Sequence, residues 1–229
     1  MPTRYTSRES YEDAREIAKN IGVHLIEIPI DRLFDSYLDL LREHMKEGIK
    51  EITAENVQPR IRANILMAFA NNFDGVVLQT GNKSEIATGY CTLYGDTIGG
   101  FSVLKDIPKT LVYRIANHIN MKEGVNLIPK RVLEKPPSAE LKYGQKDSDI
   151  LPPYETLDKI IEDHIEGGKG AKKSIKGFDS KIVEETKERF LKNEFKRRQG
   201  PVGPILFPKS FLGGPKFPIT NLWGVKRWS

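Results

Sequence analysis

The chain is short of most features that assign a protein to a class at once. Its 229 residues hold one cysteine, Cys91, so an internal disulfide is excluded. No apolar run approaches the ~18 residues of a membrane-spanning helix. The opening stretch Met1-Pro2-Thr3-Arg4-Tyr5-Thr6-Ser7-Arg8 has no apolar segment behind its charge, unlike a secretory signal. Together these make a cytoplasmic protein the expectation, with no membrane among its partners. Charge of one sign is also scarce: 36 Lys+Arg against 31 Asp+Glu leave +5, which argues against nucleic acid and favours a small anionic ligand. The histidines His24, His44, His118 and His164 are scattered, with no HExxH and no Cys/His cluster, which removes a structural zinc site. Gly167-Gly168-Lys169-Gly170-Ala171-Lys172-Lys173-Ser174 looks like a phosphate loop but lacks a Gly-Lys-Ser/Thr triplet and a preceding apolar strand. It reads as a solvated loop.

What is present is enough for a core, with 38% hydrophobic and 9% aromatic residues. At about 150 residues per domain the length fits one domain over 1–229, with an appendage at most. The 3–4 spacing of Tyr11, Ala14, Ile17, Ala18 and Ile21 predicts a helix over 9–21, with Ser10 as its cap and Gly22 as its end. A short strand is expected at 24–28, before Pro29. A second helix follows, capped by Asp31, with Leu33, Phe34, Tyr37, Leu38, Leu41 and Met45 as its buried stripe. A third covers 53–72, with Val57, Ile61, Ile65, Phe69 and Phe73 repeating every four residues. The uninterrupted Val76-Val77-Leu78 predicts a strand covered on both faces. Pro108–Asn117 reads as a helix with proline in its first turn. Beyond residue 134 proline-broken segments precede short helices. A mobile loop is expected at 166–177, a strong helix at 179–198 and a Pro/Gly-rich tail at 200–229. Helix, strand and polar glycine-containing turn in succession are the grammar of a parallel α/β sheet.

Chemistry begins at Thr80. Ligands of parallel sheets sit beyond the carboxyl ends of strands, where Thr80-Gly81-Asn82-Lys83-Ser84-Glu85 falls. The segment offers a hydroxyl, a glycine that lets backbone approach closely, and a carboxylate able to hold a hard cation such as Mg²⁺. It reads equally as a polar turn in which Ser84 or Asn82 caps a helix. Residues 89–101, rich in Gly and Tyr, either wrap a ligand or merely turn. A lone Cys91 is more often packed than catalytic.

The motifs ENVQPRIRANILM (55–67), TGNKSEIATGYCTLYGDTIGGFSVLKDIPKTLVYRIA (80–116), LEKPPSAEL (133–141), QKDSDILPPYETLD (145–158) and FPITNLW (217–223) closely resemble the NAD⁺ synthetase family, above all the synthetase domain of its glutamine-dependent form. MPTRYTSRES resembles the segment after that domain's second strand. The resemblance spans essentially the whole chain. It implies an open parallel sheet with flanking helices, of the adenine nucleotide alpha hydrolase-like kind, incomplete at its N-terminal end. It implies a ligase: ATP adenylates deamido-NAD⁺, and ammonia, free or derived from glutamine, then yields NAD⁺, AMP and pyrophosphate. A homodimer and a separate amidase are the protein partners it suggests.

Position by position, the resemblance makes Arg4, Thr80, Lys109 and Ser138 ATP contacts. It makes Asn56, Arg60, Glu85, Tyr90, Cys91, Thr92, Leu93 and Lys196 contacts of deamido-NAD⁺, and Glu85 also the ligand of Mg²⁺. On residue type alone, Arg60 also reads as a solvated helix residue, Lys109 as a residue that merely flanks the start of its helix, Lys196 as part of a basic run at a solvated helix end, and Ser138 as only a cap. One family part is absent from the 229 residues: the Ser-Gly-Gly-x-Asp-Ser loop of the first strand, whose backbone cradles pyrophosphate. The expectation is therefore a fragment, arising by truncation, a misassigned frame or a split protein. Its strands at 24–28 and 76–80 would expose edges and apolar faces. A non-catalytic nucleotide-binding remnant is the competing expectation.

Overall fold

The computed structural model describes residues 1–166, 177–210 and 219. The Gly167–Ser174 stretch, almost all of the expected mobile loop and the FPITNLW motif apart from Ile219 lie outside the described residues. Along the chain run α1 (Arg8–Ile21), α2 (Asp31–His44), α3 (Glu51–Asn72), β1 (Leu78–Gln79), α4 (Lys83–Thr88), β2 (Phe101–Ser102), α5 (Lys109–Glu123), α6 (Lys130–Glu134), a 3₁₀ turn at Asp147–Asp149, α7 (Tyr154–Glu166), α8 (Ser180–Lys192) and α9 (Glu194–Gln199). The described residues form two compact units: residues 1–68 with 113–150, and 69–112 with the described part of 151–229.

The first unit is helical. Its core is Ile30, Phe34 and Leu38 against Val57 and Ile61, with Tyr5, Leu41 and Ile65 packed at the margin. Only one face of the predicted α2 stripe is inward, because Leu33, Tyr37 and Met45 are exposed. α1 begins one residue earlier than predicted, and its cap lies three residues earlier. Ser7, not Ser10, is the cap, its hydroxyl accepting from the Ser10 amide at 3.2 Å. Gly22, in the left-handed region at φ 69°, ends the helix as expected. Asp31 is inside α2 rather than capping it. Its carboxylate accepts from the Arg4 amide at 3.1 Å and from Arg4 Nε at 2.8 Å. The strand predicted at 24–28 is absent, and Val23, Leu25 and Ile26 are exposed. A strand exists only through its ladder, and no described segment pairs with this one.

In the second unit β1 and β2 pair in parallel, Leu78 opposite Phe101 and Gln79 opposite Ser102, as the α/β grammar requires. The expectation that Val76–Leu78 is covered on both faces fails. Val76 is 71% and Leu78 58% exposed, with Phe101 and Val103 open on the same face of the pair. The opposite face is buried: Gln79 and Ser102 point inward and the Ser102 hydroxyl donates to Gln79 Oε1. Here the core is Ala87 of α4 against Leu157, Ile160 and Ile161 of α7 and Val183 and Phe190 of α8. The helix predicted over 179–198 breaks at Asn193 into α8 and α9. The Asn193 amide donates to the carbonyls of Thr88 and Arg189, both at 2.9 Å, and so ties the break to the end of α4.

Candidate functional site

The turn after β1 is built around α4. Asn82 caps that helix: its side chain accepts from the Glu85 amide at 3.1 Å, while Glu85 Oε2 accepts from the Asn82 amide at 3.1 Å. The cap reading of Asn82 is thus correct, that of Ser84 is not, and Glu85 is not an idle carboxylate. Its second oxygen, Oε1, takes Lys109 Nζ at 3.0 Å, with both side chains about one-fifth exposed. Lys109 opens α5 and lies 5.4 Å from the centre of the Tyr154 ring. Thr80, just past the strand, is exposed beside this turn in sequence.

What places Glu85 and Lys109 together is buried. The Ser84 hydroxyl accepts from the Lys109 amide at 2.9 Å and donates to Asp158 of α7. Asp158 also accepts from the amide and hydroxyl of Thr110, at 2.9 and 2.7 Å. The carboxylate therefore satisfies the start of α5, where backbone N–H groups lack helical partners, and locks it to the start of α4.

The 89–101 segment is a compact turn rather than an open coil. Gly89 ends α4 at φ 68°, and a Cβ there would sit 2.1 Å from the Asn193 side chain, so only glycine fits. The Thr92 amide donates to Asp96 at 2.6 Å, and the Tyr94 amide to the Thr97 hydroxyl at 3.1 Å. Lys196 Nζ donates to the carbonyls of Gly89 and Cys91, both at 2.8 Å, and clamps the turn from α9. Thr92 is buried, Tyr90, Cys91 and Leu93 are half-buried, and the Tyr90 ring packs on the α7–α8 core. Burial pushes the Cys91 thiol up to about 12, which keeps it protonated and unsuited to nucleophilic attack.

Asp96 reaches solvent on one side, yet the turn strips enough water from its carboxyl, with Glu85's charge adding to the effect, to push it up to about 6. A carboxyl raised from 3.8 binds its proton more tightly in the folded chain. Its contribution to stability is present at acid pH and lost as pH rises from about 4 through about 6. Carboxyl ¹³C titration is expected to give Asp96 a midpoint near 6, moved down by Glu85→Gln. A midpoint near 4 contradicts this account.

The remaining predicted residues belong to the other unit. Arg4 is held by Asp31 at 2.8 Å and Asp35 at 2.6 Å, which keep its guanidinium more firmly protonated than usual. Asn56 is half-buried and Arg60 exposed, one turn apart on α3. Ser138 does not start a helix, because residues 136–140 are irregular. Its hydroxyl donates to the Gln145 carbonyl at 2.5 Å and accepts from the Glu140 amide at 3.1 Å, closing a turn.

The family model described as NAD synthase matches residues 1–200. The chain belongs to the NAD synthase family. The glutamine-dependent NAD(+) synthetase of Thermotoga maritima is 49% identical over 222 residues, covering 96% of this chain and 38% of that protein. Among solved structures, the glutamine-dependent NAD⁺ synthetase of Acinetobacter baumannii, in complex with ADP, superposes with a TM-score of 0.58 at 38% identity, over 99% of this chain and 40% of that one. A glutamine-dependent NAD(+) synthetase from Cytophaga hutchinsonii gives 0.76 at 22% identity, over 96% of this chain and 38% of that one, and supports the fold. The chain spans about two-fifths of the length of the curated relatives it matches. Among the described residues no helix is long and apolar enough to cross a membrane.

Within this NAD synthase chain, sequence reasoning took Ser84 only for a cap and missed Thr110 and Asp158, which with it set the Glu85–Lys109 pair, and Asp96, which shapes the turn. Only their places inside the motifs marked them. Glu85 is a single carboxylate, and among the described residues no group of three or more His, Cys, Asp or Glu is arranged for a metal. One protein carboxylate suits Mg²⁺, which draws its other oxygens from substrate phosphates and water.

Proposed function

We propose that this chain carries the synthetase chemistry of its family, the ATP-dependent amidation of deamido-NAD⁺. The observation that carries the reading is the Glu85–Lys109 pair, 3.0 Å apart where α4 and α5 begin and held by the buried Ser84–Asp158 network. An exposed Thr80 precedes it and the Lys196-clamped turn follows α4. In the reaction a carboxylate oxygen of deamido-NAD⁺ attacks the α-phosphorus of ATP and the bond to pyrophosphate breaks. Ammonia then attacks the acyl carbon, a proton is lost and AMP departs. Lys109 supplies positive charge to the phosphates and Thr80 a hydroxyl. Glu85 would hold Mg²⁺, which when bound neutralises charge on the phosphates. Tyr90, Cys91, Thr92 and Leu93 line the dinucleotide, with Lys196 fixing their backbone. Asn56 and Arg60 are assigned to deamido-NAD⁺, and Arg4 and Ser138 to ATP. The nitrogen is ammonia, free or released from glutamine by an amidase, and the assembly is a homodimer.

Purified 1–229 is expected to bind ATP·Mg²⁺ and deamido-NAD⁺ in calorimetric titrations and to form NAD⁺ when ammonia is added. Failure to bind either ligand overturns the proposal. The competing reading is nucleotide binding without turnover. Retained deamido-NAD⁺ binding, weak ATP binding and no NAD⁺ supports that reading instead.

A further inference from the structure

A second set of contacts, from the opposite side of α4, bears on the Glu85–Lys109 pair. Lys83, the first residue of α4, is almost wholly buried together with Asp106, its ammonium 3.1 Å from Asp106 Oδ1. Among the described residues that oxygen accepts no hydrogen bond, so the attraction is ionic. The other oxygen, Oδ2, accepts the amides of Leu206 and Phe207, at 2.8 and 3.1 Å. The Phe207 ring centre lies 4.6 Å from the Lys83 ammonium. One carboxylate thus faces both the first turn of α4 and the strap of chain at 200–210.

The strap is fastened along β2 as well. The Ser102 amide donates to the Val202 carbonyl at 2.7 Å and Lys105 Nζ to the Pro201 carbonyl at 2.5 Å. At Gly203 a Cβ would meet the Ser102 carbonyl oxygen at 2.4 Å, and that backbone cannot yield. On its other side the 106–109 segment is joined to α4 by the Lys83 amide on the Ile107 carbonyl at 2.9 Å and by the Lys109 amide on Ser84. Displacing the strap therefore unbalances the buried charge that holds the first turn of α4.

We propose that Asp106 is a positioning residue for the nucleotide site: through Lys83 it couples the seated strap at 200–210 to the placement of Glu85 and Lys109. The inference rests on the proposed function for its ligand, ATP·Mg²⁺, but the coupling itself is a property of the free chain. Two substitutions separate its parts. Asp106→Asn keeps an oxygen for the strap amides and removes the counter-charge of Lys83. Gly203→Ala leaves the ion pair intact and forces the strap outward.

Native-state hydrogen exchange on the unaltered chain is the first test. The Leu206 and Phe207 amides and those of α4 are expected to exchange through one opening, with the same denaturant dependence. Separate openings overturn the coupling. In Gly203→Ala exchange at both places is expected to rise about tenfold, and ATP·Mg²⁺ affinity to fall by a similar factor. Strap exchange that rises alone, with α4 and ATP affinity unchanged, overturns the proposal. In Asp106→Asn the affinity loss is expected to vanish in a Glu85→Gln background, because the effect runs through Glu85. Additive losses mean a general structural effect and count against it. Should the unaltered chain bind no ATP, the proposed function fails while the shared opening still decides the coupling.

Discussion

Replacing Asp158 by alanine is expected to lower stability by about 4 kcal/mol and the melting temperature by about 10 °C. The side chain is buried and accepts from Ser84, the Thr110 amide and the Thr110 hydroxyl, so its loss strands three donors on two helices at once. Hydrogen bonds to a charged acceptor contribute more than neutral ones, and orphaned buried donors add their own desolvation cost. Asp158→Asn keeps the shape and part of the acceptance and is expected to cost about half as much. Thermal unfolding followed by circular dichroism measures both. A loss below 1 kcal/mol for the alanine variant is incompatible with the network described. A second consequence is local: with Asp158 gone, the start of α5 loses its anchor, and Lys109 moves with it.

The largest effect on ligand handling is expected from Lys109→Met. Removing a cation aimed at developing phosphate charge costs about 10²–10³-fold in turnover. NAD⁺ formation from deamido-NAD⁺, ATP and ammonia reads that loss, and ATP affinity should weaken alongside. Glu85→Gln is expected to act on the same step, and the double variant to be little worse than the worse single one, since the two side chains share one contact at 3.0 Å. If Lys109→Met turns over at the unaltered rate, Lys109 is an ordinary helix residue and the proposed site is wrong.

Much of the helical framework was legible because its signals are local. Gly22 stops α1 and Pro108 precedes α5, as their backbone preferences dictate. Even there, the cap of α1 lay one turn early, since Ser7 and Ser10 offer the same hydroxyl and only geometry separates them. The sheet was less legible. Val76–Leu78 announces a wish for burial, but what meets a strand face is remote in sequence, and in this structure that face is open. The same holds at 24–28, where an apolar, β-rich run has no ladder. At the site, Glu85 and Lys109 were marked by the family's motifs. Ser84 and Asp158, 74 residues apart, lie in those motifs too, but nothing in the sequence joins them, because the bond between them exists only in the fold.

Lys196 grips the 89–93 turn by two main-chain oxygens and touches none of its side chains through those bonds. The path of the 89–93 turn is therefore set through its main chain, by Lys196, by the Asp96 carboxylate on the Thr92 amide and by the glycine at 89. Over generations a turn held in this way can exchange the side chains it displays while the scaffold that aims them stays put.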